Sequence, residues 1–211
     1  MKLPNWLKKT DHFEQFAEKL ISNCHSLASD RLEHSSITVE KHQHLRDFVQ
    51  ILVSNSYSMT IVLEENGEID KKQFSFVFFE HLNFFIFLID RTASNVLDVQ
   101  ERSQLMRELT DFAFVLSIVT LLPNLEDDAK DKMYHQCMKN LIAVIEEYSK
   151  YNLTRTENDS GNENTVLWEF SKKIQEFTKN PYNVGGMLGY EFQIVQALKN
   201  IDIKSFLQKF K

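Results

Sequence analysis

The chain has 211 residues, 43% of them hydrophobic and 26% charged, with only five Gly, three Pro and two Cys. This provides enough apolar mass for a sizeable core, and so few turn residues favour helices joined by short links over a many-turn all-β fold. A net charge of −6 speaks against a general nucleic-acid binder, and two cysteines without a CxxC do not suggest a disulfide scaffold.

From Asp11, apolar residues fall at 13, 16, 17, 20, 21, 24, 27 and 28, the spacing of an amphipathic helix, with Asp11 and Glu14 placed as a capping box. A second helix is expected from Thr38, carrying Leu45, Phe48, Val49, Leu52 and Tyr57 inward. Its end is ambiguous. Ser54 to Thr60 are weak helix formers and Ile61-Val62-Leu63 has strand character, before Glu64-Glu65-Asn66-Gly67 stops the element.

Asp70 is expected to open a third helix running to about Leu97. Its centre is the most apolar stretch of the chain, with seven Phe among the sixteen residues from Phe74 to Ile89. A helix apolar on every side has to be enclosed by protein or lipid. Glu80, His81 and Asn83 interrupt the run, leaving too few continuous apolar residues for a membrane span. Asp98 with Glu101 then caps a fourth helix striped by Leu105, Leu109, Phe112, Leu116 and Val119 up to Pro123. Residues 70–97 and 98–122 therefore read as a central Phe-rich hairpin.

Asn124, followed by Glu126, Asp127 and Asp128, starts a fifth helix with Met133, Cys137, Leu141, Val144 and Tyr148 on one face. Residues 152–164 hold one apolar residue, Leu153, and read as an exposed flexible linker. Beyond it a short helix from Thr165 presents Leu167, Phe170, Ile174 and Phe177. A helix from about Asn183 runs through Leu188, Phe192, Val195 and Leu198, and a last one from Asp202 presents Ile203, Phe206, Leu207 and Phe210. A 165–211 subregion this small would be marginal alone, so it is expected to pack back on the rest. The expected fold is a single all-α domain over 1–211, a bundle of seven to eight helices.

Chemistry is best sought on the central hairpin. At about 100° per residue, Glu80 and Arg91 share one helix stripe, with Phe84 and Phe87 between them, and Asn83 and Asp90 share the next. Folding the following helix back antiparallel brings Asp111 level with Phe84. Glu80, His81, Asn83, Phe84, Phe87, Asp90, Arg91 and Asp111 thus form the candidate ligand-binding set: a polar cluster behind a Phe wall, or a buried network that fixes helix register. Arg91 and Arg102 flank the junction of the two helices, where arginines commonly bond open helix-end carbonyls.

No catalytic signature is present, and no metal or cofactor is expected. Glu40 and His44 are spaced to meet, yet no His follows an acid by three positions, and HExxH and zinc-type Cys/His spacing are absent. Gly185-Gly186-Met187-Leu188-Gly189 lacks the strand and spacing of a nucleotide loop and reads as a sharp helix start or a place of close helix approach.

Charge is uneven: residues 1–9 and 199–211 each carry +3, leaving −12 for the rest. Basic ends beside Trp6, Phe206 and Phe210 raise peripheral contact with an anionic membrane; docked apolar faces with solvated charges are expected instead. The beginning of the chain lacks the apolar run of a secretory signal, and Cys24 and Cys137 read as buried free thiols, so the expected location is the cytoplasm. The functional expectation is a non-enzymatic helical protein acting through protein–protein contact as subunit, adaptor or homodimer, with Trp168, Tyr151, Tyr190 and Ile118 as candidate patch residues. The alternative is a carrier or enzyme with a Phe-lined pocket around Glu80, His81 and Asp111.

Overall fold

The computed structural model describes residues 11–32, 38–153, 165–179, 181 and 184–210, and it is an all-α domain. Its helices are α1 (Asp11–Leu32), α2 (Val39–Glu65), α3 (Phe74–Ala93), α4 (Val99–Leu121), α5 (Asp127–Tyr148), α6 (Val166–Phe177), α7 (Val184–Ile201) and α8 (Ile203–Gln208). No strand occurs among the described residues, only an isolated bridge between Asn152 and Thr165. The linker expected over 152–164 lies, apart from Asn152 and Leu153, outside the described residues.

Side-chain hydroxyls explain how α2 continues through its weak helix formers. Ser56 Oγ donates to the Leu52 carbonyl at 3.0 Å, Ser58 Oγ to Ser54 at 2.8 Å and Thr60 Oγ1 to Ser56 at 2.8 Å. The Asn55 amide does the same to Ile51 at 2.8 Å. Each polar group is satisfied on its own helix, so residues 52 to 61 can be buried on all sides without orphaned donors. Ile61-Val62-Leu63 is helix, not strand, and the element stops at Asn66 with Gly67 at φ 70°.

α3 is shorter than expected at both ends. Asp70 and Gln73 bond each other across a tight turn, Asp70 Oδ1 accepting from the Lys72 and Gln73 amides and Gln73 Oε1 from the Asp70 amide, so the helix starts only at Phe74. At the far end Ser94 Oγ and Asn95 Nδ2 both donate to the Arg91 carbonyl and divert it from continuing the helix. The Asp98–Glu101 capping box then starts α4, each side chain accepting from the other residue's backbone amide.

The two helices at the centre are α2 and α3. α3 packs most extensively against α2, then against α5 and α4, and also touches α6 and α8, so within the expected α3–α4 corner the main neighbour of the Phe-rich helix is α2. The hinge of that corner is held by Arg102, whose Nε and Nη2 donate to the two Asp90 oxygens at 2.8 and 2.6 Å. α2 is packed by α1, α3, α4 and α7. Three parallel ring stacks tie outer elements to this pair: Phe16 on Tyr57 (3.7 Å), Phe48 on Phe206 (3.6 Å) and Phe84 on Phe170 (3.8 Å).

Some faces depart from the expected stripes. Ile21 points outward from α1, whereas Ile118 and Tyr190, expected on a surface patch, are buried. Phe206 and Phe210 are buried too, and Lys41 Nζ donates to the Phe210 carbonyl at 2.9 Å, which turns the last aromatic residues away from any membrane surface. No helix among the described residues is long and apolar enough to cross a membrane. Both cysteines are free and buried, with the Cys137 thiol pushed up to about 12 by burial. Since only the thiolate reacts, both thiols should be silent to a disulfide-exchange reagent at pH 8 in the native protein and should react in denaturant. Rapid native labelling would contradict this packing.

Candidate functional site

The polar residues of α3 face three different directions, so the single cluster expected from the sequence is not formed. His81 points toward α2, α6 and α7, Glu80 toward α6, and Asp90 toward the start of α4.

His81 is fully buried and both ring nitrogens are engaged. Thr60 Oγ1 lies 3.0 Å from Nδ1, and the Tyr190 hydroxyl meets Nε2. The proton positions follow from an inventory of donors. With the single Thr60 proton on the Ser56 carbonyl, Nδ1 is assigned as the ring donor toward Thr60, and the Val77 carbonyl is a further acceptor for the ring. Nε2 is then the acceptor, and Tyr190 donates to it. The result is a one-way chain from Tyr190 of α7 through His81 of α3 and Thr60 of α2 to a backbone carbonyl. Burial lowers the imidazole pKa to about 3, partly opposed by the Val77 carbonyl, and the ring is neutral at physiological pH. The space around it is filled by the rings of Phe170 and Tyr190, with Phe84 stacked on Phe170.

Glu80 forms a 2.8 Å ion pair with Lys173 of α6. Phe84 and Phe87 close on the ring of Tyr148. Asp90 is taken up by Arg102, and Arg91 reaches the Ser149 carbonyl at the end of α5 at 3.4 Å while lying 6.0 Å over the Phe87 ring. Arg91 therefore serves a neighbouring helix end, not its own. Asp111 is on the outside of α4, lining a hollow of about 380 Å³ with Asp127, Lys130 and Tyr134 of α5. Level in the register, it points to a different face from His81: α5 lies between α3 and that surface. Asn83 is fully buried, and its amide nitrogen and oxygen have no hydrogen-bond partner among the described residues.

Two features were not singled out in the sequence. The first is a hollow of about 470 Å³ where α5, α6 and the start of α7 meet, lined among others by Tyr148, Lys172, Lys173, Glu176 and Met187. The buried Tyr148 hydroxyl has no partner among the described residues, and burial with the carboxylates of Glu80, Glu147, Glu169 and Glu176 raises its pKa far above its ordinary range, so it stays a neutral phenol. Neither His81 nor Asn83 lines this hollow or the one at Asp111. At the start of α2, His44 lies 3.8 Å from Glu40 and 3.3 Å from Lys209, and no group of three or more potential metal ligands occurs among the described residues.

The second feature is the outer face of α7. The sequence marks Leu188, Phe192, Val195 and Leu198 as its apolar stripe, whereas the helix buries Met187, Tyr190, Ile194, Ala197 and Ile201. Val184, Leu188, Phe192 and Val195 consequently face outward at 57%, 49%, 66% and 36% exposure. Both stripes have helical spacing; the one turned inward is the one that meets α6, α2 and, through Tyr190, His81. Comparison with family models, curated proteins and solved structures finds no match, so what the molecule does has to be read from its own surfaces.

Two outcomes are expected. Because the unfolded histidine titrates at its ordinary 6.5 and the folded one at about 3, unfolded chains bind the extra proton between those values, and stability falls as pH drops through that window. Denaturant titrations should show about 2 kcal/mol lost between pH 7 and pH 5 from this group, and His81→Gln should abolish that part of the slope. Asn83→Leu should raise stability by about 1–2 kcal/mol, because it removes an unpaired buried amide. A destabilised Asn83→Leu would show that the amide is engaged.

Proposed function

We propose that this chain is a non-enzymatic helical protein that works by docking a protein partner on the outer face of α7. The observation that supports this is the stripe of Val184, Leu188, Phe192 and Val195, four apolar side chains in helical register turned to solvent. Other exposed apolar residues, such as Val39, Phe76, Val99 and Ile142, are spread over separate helices. Scattered single residues of that kind are ordinary on protein surfaces, whereas a contiguous stripe is the pattern of a helix that meets another surface.

Gly189 adds to this reading. It lies on the same side of α7, and a Cβ built on it would touch nothing within 4 Å. Glycine within a helix costs about 1 kcal/mol relative to alanine, and no packing inside this fold requires it. Gly189 itself is not required by any close approach inside this fold, and a partner's surface supplies a reason for a bare backbone there. The polar residues of the interior support a non-catalytic role: His81 has both nitrogens committed to Thr60 and Tyr190, and Asp90 both oxygens to Arg102.

Phe192→Glu is the decisive variant, since residue 192 is two-thirds exposed on the outer face of α7. In extract of the native host, the wild-type chain should elute in an assembly larger than 24.8 kDa, and Phe192→Glu should elute as a monomer with an unchanged helical spectrum and melting temperature. An assembly indifferent to Phe192→Glu would overturn the reading.

A further inference from the structure

We infer that the partner on α7 is a second copy of this chain, in an antiparallel α7–α7 pair about a twofold axis passing near Leu188 and Gly189; this rests on the docking reading above. The argument begins with the shape of the face. At about 100° per residue, Val184 and Val195 form one flank of the stripe, Leu188 its centre, and Phe192 the opposite flank, next to Gly185 and Gly189. A twofold axis lying in the interface brings like flank against like flank with the chain direction reversed. Phe192 of one copy then lies level with Gly185 of the other, over a flank that lacks side chains at Gly185 and Gly189. On the second flank Val184 of each copy approaches Val195 of its mate, and the two Leu188 side chains meet across the axis. Phe192 opposes glycine, and Val184, Leu188 and Val195 oppose apolar side chains of the mate, as a self-matching contact requires.

Charge points the same way. The body of the chain carries a large negative excess, yet the exposed side chains of the stripe itself, Val184, Leu188, Phe192 and Val195, are all uncharged; the half-buried Glu191 beside Val195 and the exposed Lys199 border it. A strongly acidic or basic partner finds no exposed charge within the stripe to pair with. A second copy brings an equally neutral surface and so avoids placing its own negative charge at the contact. The four side chains hold out on the order of 350 Å² per copy, or about 700 Å² for the pair, below the ~1,200 Å² of a stable complex and within the range of a weak one. The expected dimer is therefore weak and concentration-dependent.

Sedimentation equilibrium of the purified full chain, from about 1 to 500 µM, tests this. The mean mass should rise from 24.8 kDa toward twice that value. Gly189→Leu, which meets no internal neighbour, should weaken dimerisation at least ~10-fold by filling the notch, with helicity and melting temperature maintained or raised. Leu188→Cys should form an interchain disulfide on oxidation, and the control Ile142→Cys on α5 should not. A mass of 24.8 kDa throughout, or a dimer unaffected by Gly189→Leu and Phe192→Glu, would overturn the inference. If the purified chain is monomeric while the assembly in extract still depends on Phe192, the second copy falls and a different protein docks on α7. If neither depends on Phe192, both readings fall.

Discussion

The structure depends on how polar groups are handled where α2 and α3 are enclosed. Two adjacent helices buried on nearly all sides leave no water for a stray donor or acceptor, and an unpaired buried group costs about 1–3 kcal/mol. α2 meets this by turning Ser56, Ser58 and Thr60 back on its own carbonyls, and α3 by joining His81 to Thr60 and Tyr190. With those groups satisfied, the Phe-rich segment can serve as packing material for α2, α4, α5 and α6 together. Asn83 is the departure from this economy, and no partner among the described residues accounts for it.

The same hydrogen-bonded chain sets which side of α7 is presented. α7 has two candidate apolar stripes, and hydrophobicity alone does not choose between them. Tyr190 decides, because its hydroxyl reaches the only free position on a neutral imidazole whose other nitrogen is already committed. Rotating α7 to bury Leu188 and Phe192 would abandon that bond and leave His81 with an unmet acceptor in the core. A polar contact in the interior thus selects the apolar surface on the exterior.

Much of the fold was legible in the residues: the Asp98–Glu101 box, the Thr38 and Thr165 caps, the stop at Asn66-Gly67, and the buried face of α5 through Cys137, Leu141, Val144 and Tyr148. These signals are local, set by neighbours within one or two turns. The candidate site was not legible in the same way. Grouping Glu80, His81, Asn83 and Asp111 required knowing which helix each α3 stripe would meet, and α3 chose α2 over α4 as its main neighbour. Register along a helix can be counted from sequence; the direction of a side chain around it depends on tertiary partners. The α7 stripe was misread for that reason, since both of its faces obey the same period.

The bridge between Asn152 and Thr165 carries a consequence of its own. Val166 N donates to the Asn152 carbonyl at 2.8 Å, so the end of α5 and the start of α6 are fastened to each other at one point. Closure free energy rises only by about 0.6 kcal/mol for each doubling of a connection's length. A twofold change in the number of residues joining these two points therefore alters the closure cost of α6 on α5 by only about 0.6 kcal/mol.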